Sequence, residues 1–208
     1  MITNYNPSPG TWDKILVNAG CGPSYGVSRS NLFDDWRQIR VDIDPAVRPD
    51  IIANITDLSP IGTGFADAVW ASHCLEHLFQ YQVETALSEF RRIIADDGFI
   101  VFLVPDLQAV ASYIANDKFH ETVYDAPIGP VTVHDMYFGY GPAIAAGHTN
   151  MAHRCGFTPT ILVNLLQKVQ FAEFAIRRLP SLELAVIARK TVGQPDTNCE
   201  ALLRTLNL

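Results

Sequence analysis

Short, continuous apolar runs alternate along the chain with segments whose apolar residues recur at helical spacing. The runs KILVNAG, IRVDIDP, DIIANI, DAVWAS and FIVFLVP predict five buried strands. Before the fifth run, Val83, Leu87, Phe90 and Ile94 fall on one face of a helix that the Asp-Gly pair at 97–98 ends. Apolar strands separated by helices or loops are typical of a mostly parallel sheet buried on both faces, so the pattern predicts an α/β fold.

The last third of the chain predicts a helix and a pair of strands. Thr158 and Pro159 form an N-cap followed by a first-turn proline. The segments AEFAIRRL and LELAVIARK, joined by a turn at 180–181, predict a C-terminal antiparallel hairpin that closes the sheet edge. Whether the tail, 191–208, packs on this domain or on a neighbouring chain is left open.

Residues 106–157 have weak periodicity and are rich in Gly, Pro, His and Tyr. A long insertion after a sheet strand is more often functional than a spacer, so we expect this segment to be a substrate cap. Together these features predict one domain over residues 1–208, with the cap inserted after strand five.

Composition narrows the classes of partner. The net charge of −7, with only 15 Lys and Arg among 208 residues, argues against nucleic acid and against an anionic membrane surface. No apolar run reaches spanning length, and the N-terminus lacks the layout of a signal peptide. The four scattered cysteines predict reduced thiols in a cytoplasmic protein. A homodimer is compatible with all of this.

A glycine-rich turn and several carboxylates follow the predicted strands. Gly20, Gly22 and Gly26 come directly after the first strand, where backbone can approach a ligand closely. Asp42 and Asp44 end the second strand about 20 residues later, the place for a carboxylate that binds a ribose diol. Asp57 follows the third strand. Strand ends on one sheet edge are where open α/β sheets bind ligands.

The stretch WASHCLEHLF contains His73-x-x-Glu76-His77, the pattern of inverzincin zinc peptidases. That class needs both histidines one turn apart on a long helix, whereas His73 directly follows an apolar strand. A second set, His148, His153 and Cys155, has loose spacing for a metal. We therefore predict no metal in the site.

Six motifs in order resemble those of class I S-adenosylmethionine-dependent methyltransferases. They are VNAGCGPSYG, VDIDP, ITDL, FADAVWASHCLEHL, FRRIIADDGFIVFLVPDL and the closing FAEFAIRRL…LELAVIARK. The resemblance runs from about residue 14 to 190 and is weakest between 106 and 155. It is closest to a poorly characterised branch of predicted methyltransferases with ASH-x-LEH after strand four and VPDL after strand five. It implies a Rossmann-like sheet and S-adenosylmethionine as cofactor.

The resemblance also implies a set of cofactor-binding residues. These are Gly20, Cys21, Gly22, Asp42, Ile43, Asp57, Leu58, Ser72 and His73. The glycine turn would line the methionine moiety and Asp42 would hold the ribose hydroxyls. Asp57 would meet the adenine amine, with Leu58 on the ring. Ser72 and His73 would border the sulfonium and the substrate entrance.

The sequence departs from the family at two places. Asn18 stands where many relatives carry an acidic residue that contacts the methionine amino group. The stretch from residue 26 to 40 is short, which predicts that the usual long first helix is reduced or absent.

Methyl transfer to oxygen or nitrogen needs alignment of the two reactants and removal of a proton. Histidine suits the second task because its ordinary pKa lies near neutrality. We therefore expect His148, His153 and His73 to be the catalytic candidates. Further candidates in the cap are His134, Asp135, Tyr137 and Tyr140.

The function that follows is transfer of a methyl group from S-adenosylmethionine to an oxygen or nitrogen of a small-molecule acceptor. One alternative is a non-catalytic subunit or sensor that binds S-adenosylmethionine or S-adenosylhomocysteine. A nicotinamide-dependent oxidoreductase and a zinc hydrolase are further alternatives, and the glycine spacing disfavours the first of them.

Overall fold

The computed structural model describes residues 13–23 and 31–208, and a seven-stranded sheet is its frame. The strands are β1 Ile15–Ala19, β2 Arg37–Asp42, β3 Ile51–Ile52, β4 Ala66–Ser72, β5 Ile94–Pro105, β8 Glu173–Leu179 and β9 Glu183–Arg189. Their order is β3-β2-β1-β4-β5-β9-β8. The first five are parallel, and β9 pairs antiparallel with both β5 and β8. The predicted α/β fold with a C-terminal antiparallel pair is confirmed.

Two predicted boundaries differ from the structure. The third strand is only the two residues Ile51–Ile52. The helix α1, Gln80–Ile93, ends earlier than the Asp-Gly signal suggests, because Ile94 adopts extended backbone and pairs with Ala66 of β4. The fifth strand therefore begins five residues before the apolar run at Phe99.

Helices cover one face of the sheet. α1 buries Val83, Leu87 and Phe90 there. The helix α5, Pro159–Lys168, packs beside it; the predicted cap is present, since the Thr158 hydroxyl accepts from the Ile161 amide at 3.3 Å. These helices and the strand side chains on that face form the larger of the apolar cores.

Aromatic rings and the chain's C-terminal end cover the opposite face. Phe33 packs against Trp36, Trp70 and Phe99 with ring centroids 5.2 to 6.4 Å apart. Between β1 and β2 the structure describes a 3-10 turn, Asn31–Phe33. Gly26 and most of the stretch where a reduced first helix is predicted lie outside the described residues.

The tail packs on its own domain. The helix α6, Cys199–Thr205, lies on β8 and β9 and buries Cys199 and Leu203. The Arg177 guanidinium binds the backbone oxygen of Leu208 and the Glu200 carboxylate, so β8 holds both ends of this segment.

The insertion between β5 and α5 has secondary structure of its own and an apolar cluster that also includes Leu182 of the turn between β8 and β9. It contains α2 Leu107–Ile114, the hairpin β6 Thr122–Ala126 and β7 Gly129–Thr132, α3 Val133–Phe138 and α4 Gly141–Ala145. Its two ends meet, because Asp106 and Phe157 form a parallel bridge. Asp106 also caps α2 by accepting from the Gln108 amide. No described helix is long and apolar enough to cross a membrane.

Candidate active site

A cavity of about 440 Å³ opens at the C-terminal ends of β1, β2 and β4. The segments that follow these strands form its floor. The start of α1 and the returning end of the insertion form the opposite wall, through Gln82, Asn150, Met151 and Arg154. Its size is that of sites for drug-sized ligands, which fall at roughly 300–1,000 Å³.

The glycine turn forms the floor next to β1. The amides of Gly20 and Cys21 both donate to the Val41 carbonyl, which fixes the turn on β2. Gly20 has a φ of 68°, and a Cβ there would lie 2.6 Å from the Cβ of Cys74, so only glycine fits. Gly22 has a φ of 56°, and none of the described residues lies within 4 Å of a Cβ placed there.

Asp42 joins this turn to the end of β2. Its Oδ2 accepts from the Gly22 amide and its Oδ1 from the Asp44 amide, both at 2.9 Å. Each carboxylate oxygen can accept a second hydrogen bond, and the residue lines the cavity beside Ile43. The side chain is therefore held in place and still able to accept from a diol.

Arg40 is a supporting residue that the sequence analysis missed. It is 6% exposed, and its Nη2 donates to the Gly22 carbonyl at 2.8 Å. The same guanidinium donates to the carbonyls of Val47 and Arg48. It therefore clamps the glycine turn to the loop after β2. The sequence feature that could have indicated its role is a charged residue in the middle of a buried strand, QIRVDID.

The structure places Asp57 and Leu58 away from the cavity wall. Leu58 is fully buried in the core, and Asp57 is exposed and accepts from the Ser59 amide. The cavity is lined there by Ala53, Asn54 and Ile55 instead. The chain reverses at this point, since the Asp57 amide donates back to the Asn54 carbonyl, and the turn carries Asp57 outward.

His73 lies at the cavity with both ring nitrogens engaged. Nδ1 lies 3.1 Å from Glu76 Oε1, and Nε2 lies 2.5 Å from Glu183 Oε1. Burial favours the neutral ring, but the hydrogen bonds to Glu183 and Glu76 outweigh it and raise the pKa of His73 to about 10. The ring is an imidazolium at neutral pH, so it has no lone pair with which to act as a base.

The other two catalytic candidates do not line the cavity. His148 is exposed. His153 is half-buried behind the loop after β4, where its Nδ1 lies 3.1 Å from the Met136 carbonyl. Burial lowers the pKa of His153, which keeps its ring neutral. His77 does line the cavity.

Three other candidates in the insertion have structural contacts. Asp135 accepts from the Thr132 and Gly141 amides and so caps α3. The Tyr140 hydroxyl donates to the Ile128 carbonyl, and Tyr137 packs edge-on against Phe138.

The inverzincin interpretation does not fit this geometry. His73 is left-handed at the end of β4, with a φ of 51°, and a 3-10 turn, Leu75–His77, follows. The two histidines are thus not one turn apart on a long helix, and both nitrogens of His73 face carboxylates.

Comparison with known proteins agrees with this arrangement. Residues 17–102 match the protein-family model described as "Methyltransferase domain". A S-adenosylmethionine-dependent methyltransferase from Methanosarcina mazei is 15% identical, with a TM-score of 0.59 over 86% of this chain and 93% of that one. One from Archaeoglobus fulgidus is 15% identical, with a TM-score of 0.57 over 85% and 86%. No curated protein sequence matches the chain.

A third structure carries ligands. It is the 1,6-didemethyltoxoflavin-N1-methyltransferase of Burkholderia thailandensis, solved with 1,6-didemethyltoxoflavin and S-adenosylhomocysteine. It is 18% identical, with a TM-score of 0.54 over 86% of this chain and 71% of that one.

The family match runs from β1 into β5 and includes the glycine turn, Asp42 and Ser72. The structural matches share the fold. Residues 17–102 are thus similar to a methyltransferase domain, and the chain has the fold of S-adenosylmethionine-dependent methyltransferases of known structure.

Proposed function

We propose that this protein transfers a methyl group from S-adenosylmethionine to an oxygen or nitrogen of a small-molecule acceptor. The observation that carries the proposal is that one cavity joins the glycine turn and Asp42 to the returning end of the insertion. An acceptor can therefore lie between these two walls. A cavity of about 440 Å³ suits small molecules better than a macromolecule, and the net charge of −7 disfavours nucleic acid.

The residues present suit the cofactor. When bound, S-adenosylmethionine supplies the methyl group. We assign its ribose hydroxyls to Asp42, whose carboxylate is already oriented by two amides. Gly20, Cys21 and Gly22 would leave room for the methionine portion, and Ile43, Asn54 and Ile55 would contact the base. Ser72 would border the reacting centre, and the His73 imidazolium would lie beside it.

The acceptor side has an aromatic and a cationic group. Phe79 is 48% exposed and lines the cavity, with the Arg154 guanidinium 5.1 Å from its ring centroid. An aromatic face with an adjacent cation suits a flat acceptor that carries a negative charge. We assign residues 106–157 the role of substrate cap. The motifs ASHCLEH and VPDL favour membership in the branch of predicted methyltransferases that carries them.

Alignment is the main contribution that we assign to the protein. His73 has no lone pair, and His148 and His153 do not line the cavity, so none of the three is placed to take a proton from an acceptor there. Holding two reactants in line supplies a large part of the rate in such displacements.

The test is formation of S-adenosylhomocysteine in a screen of hydroxyl and amine acceptors, neutral and anionic. We expect turnover with anionic acceptors, an increased KM for the acceptor in Arg154→Gln and an increased KM for S-adenosylmethionine in Asp42→Asn. Arg178→Gln is the control, because Arg178 pairs with Asp106 and does not line the cavity. Cofactor binding without turnover of any acceptor would contradict the proposal and favour a cofactor-binding subunit.

A further inference from the structure

Three proton-accepting groups converge where the insertion returns to the loop after β4. A carboxylate oxygen of Glu76 and one ring nitrogen each of His77 and His153 lie within 4.8 Å of one another. The two imidazole rings meet edge to face with centroids 5.0 Å apart. Backbone contacts hold the two segments together, since the amides of Arg154 and Cys155 donate to the Glu76 carbonyl.

Backbone carbonyls determine which nitrogen each imidazole has available. Nδ1 of His77 lies 3.3 Å from the Ala152 carbonyl, and Nδ1 of His153 lies 3.1 Å from the Met136 carbonyl. A carbonyl only accepts, so each Nδ1 carries the proton and each Nε2 is left with a lone pair. Metal-bound histidines are oriented in the same way.

Glu76 contributes a buried oxygen without a partner. The residue is 1% exposed, and its Oε1 is occupied by His73. Oε2 has no hydrogen-bond partner among the described residues. Buried carboxylate oxygens are normally satisfied, and a cation held beside Oε2 would satisfy this one.

Buried carboxylates beside this set favour a cation. Glu76 and Glu183 are 1% and 0% exposed, and both contact the His73 ring. Two buried carboxylates attract a divalent cation to the ring nitrogens of His77 and His153.

We propose that Glu76, His77 and His153 bind a divalent transition-metal cation of the zinc type. Two imidazoles and one carboxylate are the protein ligands of open zinc sites, whereas Mg²⁺ and Ca²⁺ prefer oxygen ligands alone. Ligands of tetrahedral zinc are roughly 3.3–3.5 Å apart at bond lengths near 2.0–2.1 Å, so the side chains need only close by about 1.5 Å or less. Because His77 lines the cavity, the ion would lie beside the methyl-transfer site.

This set differs from both metal sets weighed from the sequence. The first pairs His73 with His77, and the second groups His148, His153 and Cys155. The fold instead brings His153 to a glutamate and a histidine more than 70 positions earlier, which spacing alone does not reveal.

The experiment measures zinc in tag-free protein after dialysis, together with a Co²⁺ titration followed by visible absorption. We expect about one zinc per chain and a Co²⁺ spectrum of tetrahedral intensity. Zinc affinity should fall by about 100-fold or more in His77→Ala and in His153→Ala, since even outer-shell changes cost roughly 10–100-fold. His148→Ala, an exposed histidine of the same segment, is the matched control and should keep the metal.

Zinc-dependent thermal stabilisation of the wild type, measured in parallel, does not depend on how well the variants fold. Absence of both stoichiometric zinc and stabilisation in the wild type would overturn the proposal, as would equal loss of metal in His148→Ala. The measurements use no methyl donor or acceptor, so their outcome is separate from that of the methyl-transfer screen.

Discussion

At the residue scale, His73 has a charge state that its position in the sequence does not reveal. Its partner Glu183 is 110 positions later and reaches it because β9 begins at the edge where β4 and β5 end. Both carboxylates that hold the ring are buried. The contacts of His73 with Glu76 and Glu183 therefore support the cavity wall and keep the His73 ring charged at neutral pH.

Replacing this histidine should be costly. We expect His73→Asn to lower the free energy of unfolding by about 3 kcal/mol, because it leaves the buried carboxylates of Glu76 and Glu183 without a positive partner. Asparagine tolerates the left-handed backbone at this position, so backbone strain is not the cause. Adding Glu183→Gln should recover part of the loss. Urea denaturation measures both, with the exposed His120→Asn as control.

A loss below about 1 kcal/mol in His73→Asn, or a simple sum in the double variant, would show that these charged contacts of His73 do not stabilise the fold.

At the element scale, α1 positions the loop that follows β3. The Arg92 guanidinium donates to the carbonyls of Leu58 and Ile61, and Glu89 accepts from the Leu58 amide at 2.6 Å. This clamp holds Leu58 in the core and leaves Asn54 and Ile55 facing the cavity.

The clamp predicts a dependence on pH. The hydrogen bond from Arg92 lowers the pKa of Glu89 in the folded state, so its contribution is present above the ordinary glutamate pKa and is lost as the pH falls through the folded value. We expect Glu89→Gln to cost about 1 kcal/mol at pH 7, and the difference from wild type to shrink in acid. Denaturation at several pH values measures this.

Glu84→Gln on the same helix is the matched control. Glu84 pairs with Lys168 at the surface, and such pairs contribute about 0–1 kcal/mol. An effect of Glu89→Gln that persists unchanged in acid would show that the charge of Glu89 does not hold the loop.

At the scale of the whole molecule, the tail covers one face of the sheet. The face opposite α1 and α5 is covered by the aromatic cluster around Phe33 and by α6. The C-terminal segment thus forms part of the layer on this face.

Disruption of this layer should destabilise the domain. Leu203 is fully buried, and we expect Leu203→Ala to lower the free energy of unfolding by about 2–5 kcal/mol. Arg204→Ala, on the exposed side of the same helix, should change it by less than about 0.5 kcal/mol. Thermal denaturation distinguishes the two. Equal, small effects would mean that the tail does not stabilise the sheet.

The sequence predicts the parts of this structure that depend on local pattern. Apolar runs predict the strands and their mostly parallel direction, and the glycine turn with Asp42 predicts one wall of the site. It does not reveal contacts between distant segments: the Glu183 partner of His73, the Arg92 clamp that holds Leu58, and the approach of His153 to Glu76. Each depends on side-chain placement that neither periodicity nor spacing encodes.

The central claim is that Asp42, and not Asp57, holds the cofactor. Calorimetric titration with S-adenosylhomocysteine of the wild type, Asp42→Asn and Asp57→Asn tests it most directly, because both changes remove one charge and keep the shape. In Asp42→Asn the amide cannot accept at both positions where Gly22 and Asp44 donate, and a lost hydrogen bond to a charged group costs about 1.5–3 kcal/mol, or roughly 10–100-fold in affinity. We predict that loss for Asp42→Asn and wild-type affinity for Asp57→Asn; full affinity in Asp42→Asn, or an equal loss in Asp57→Asn, would contradict the placement of the cofactor.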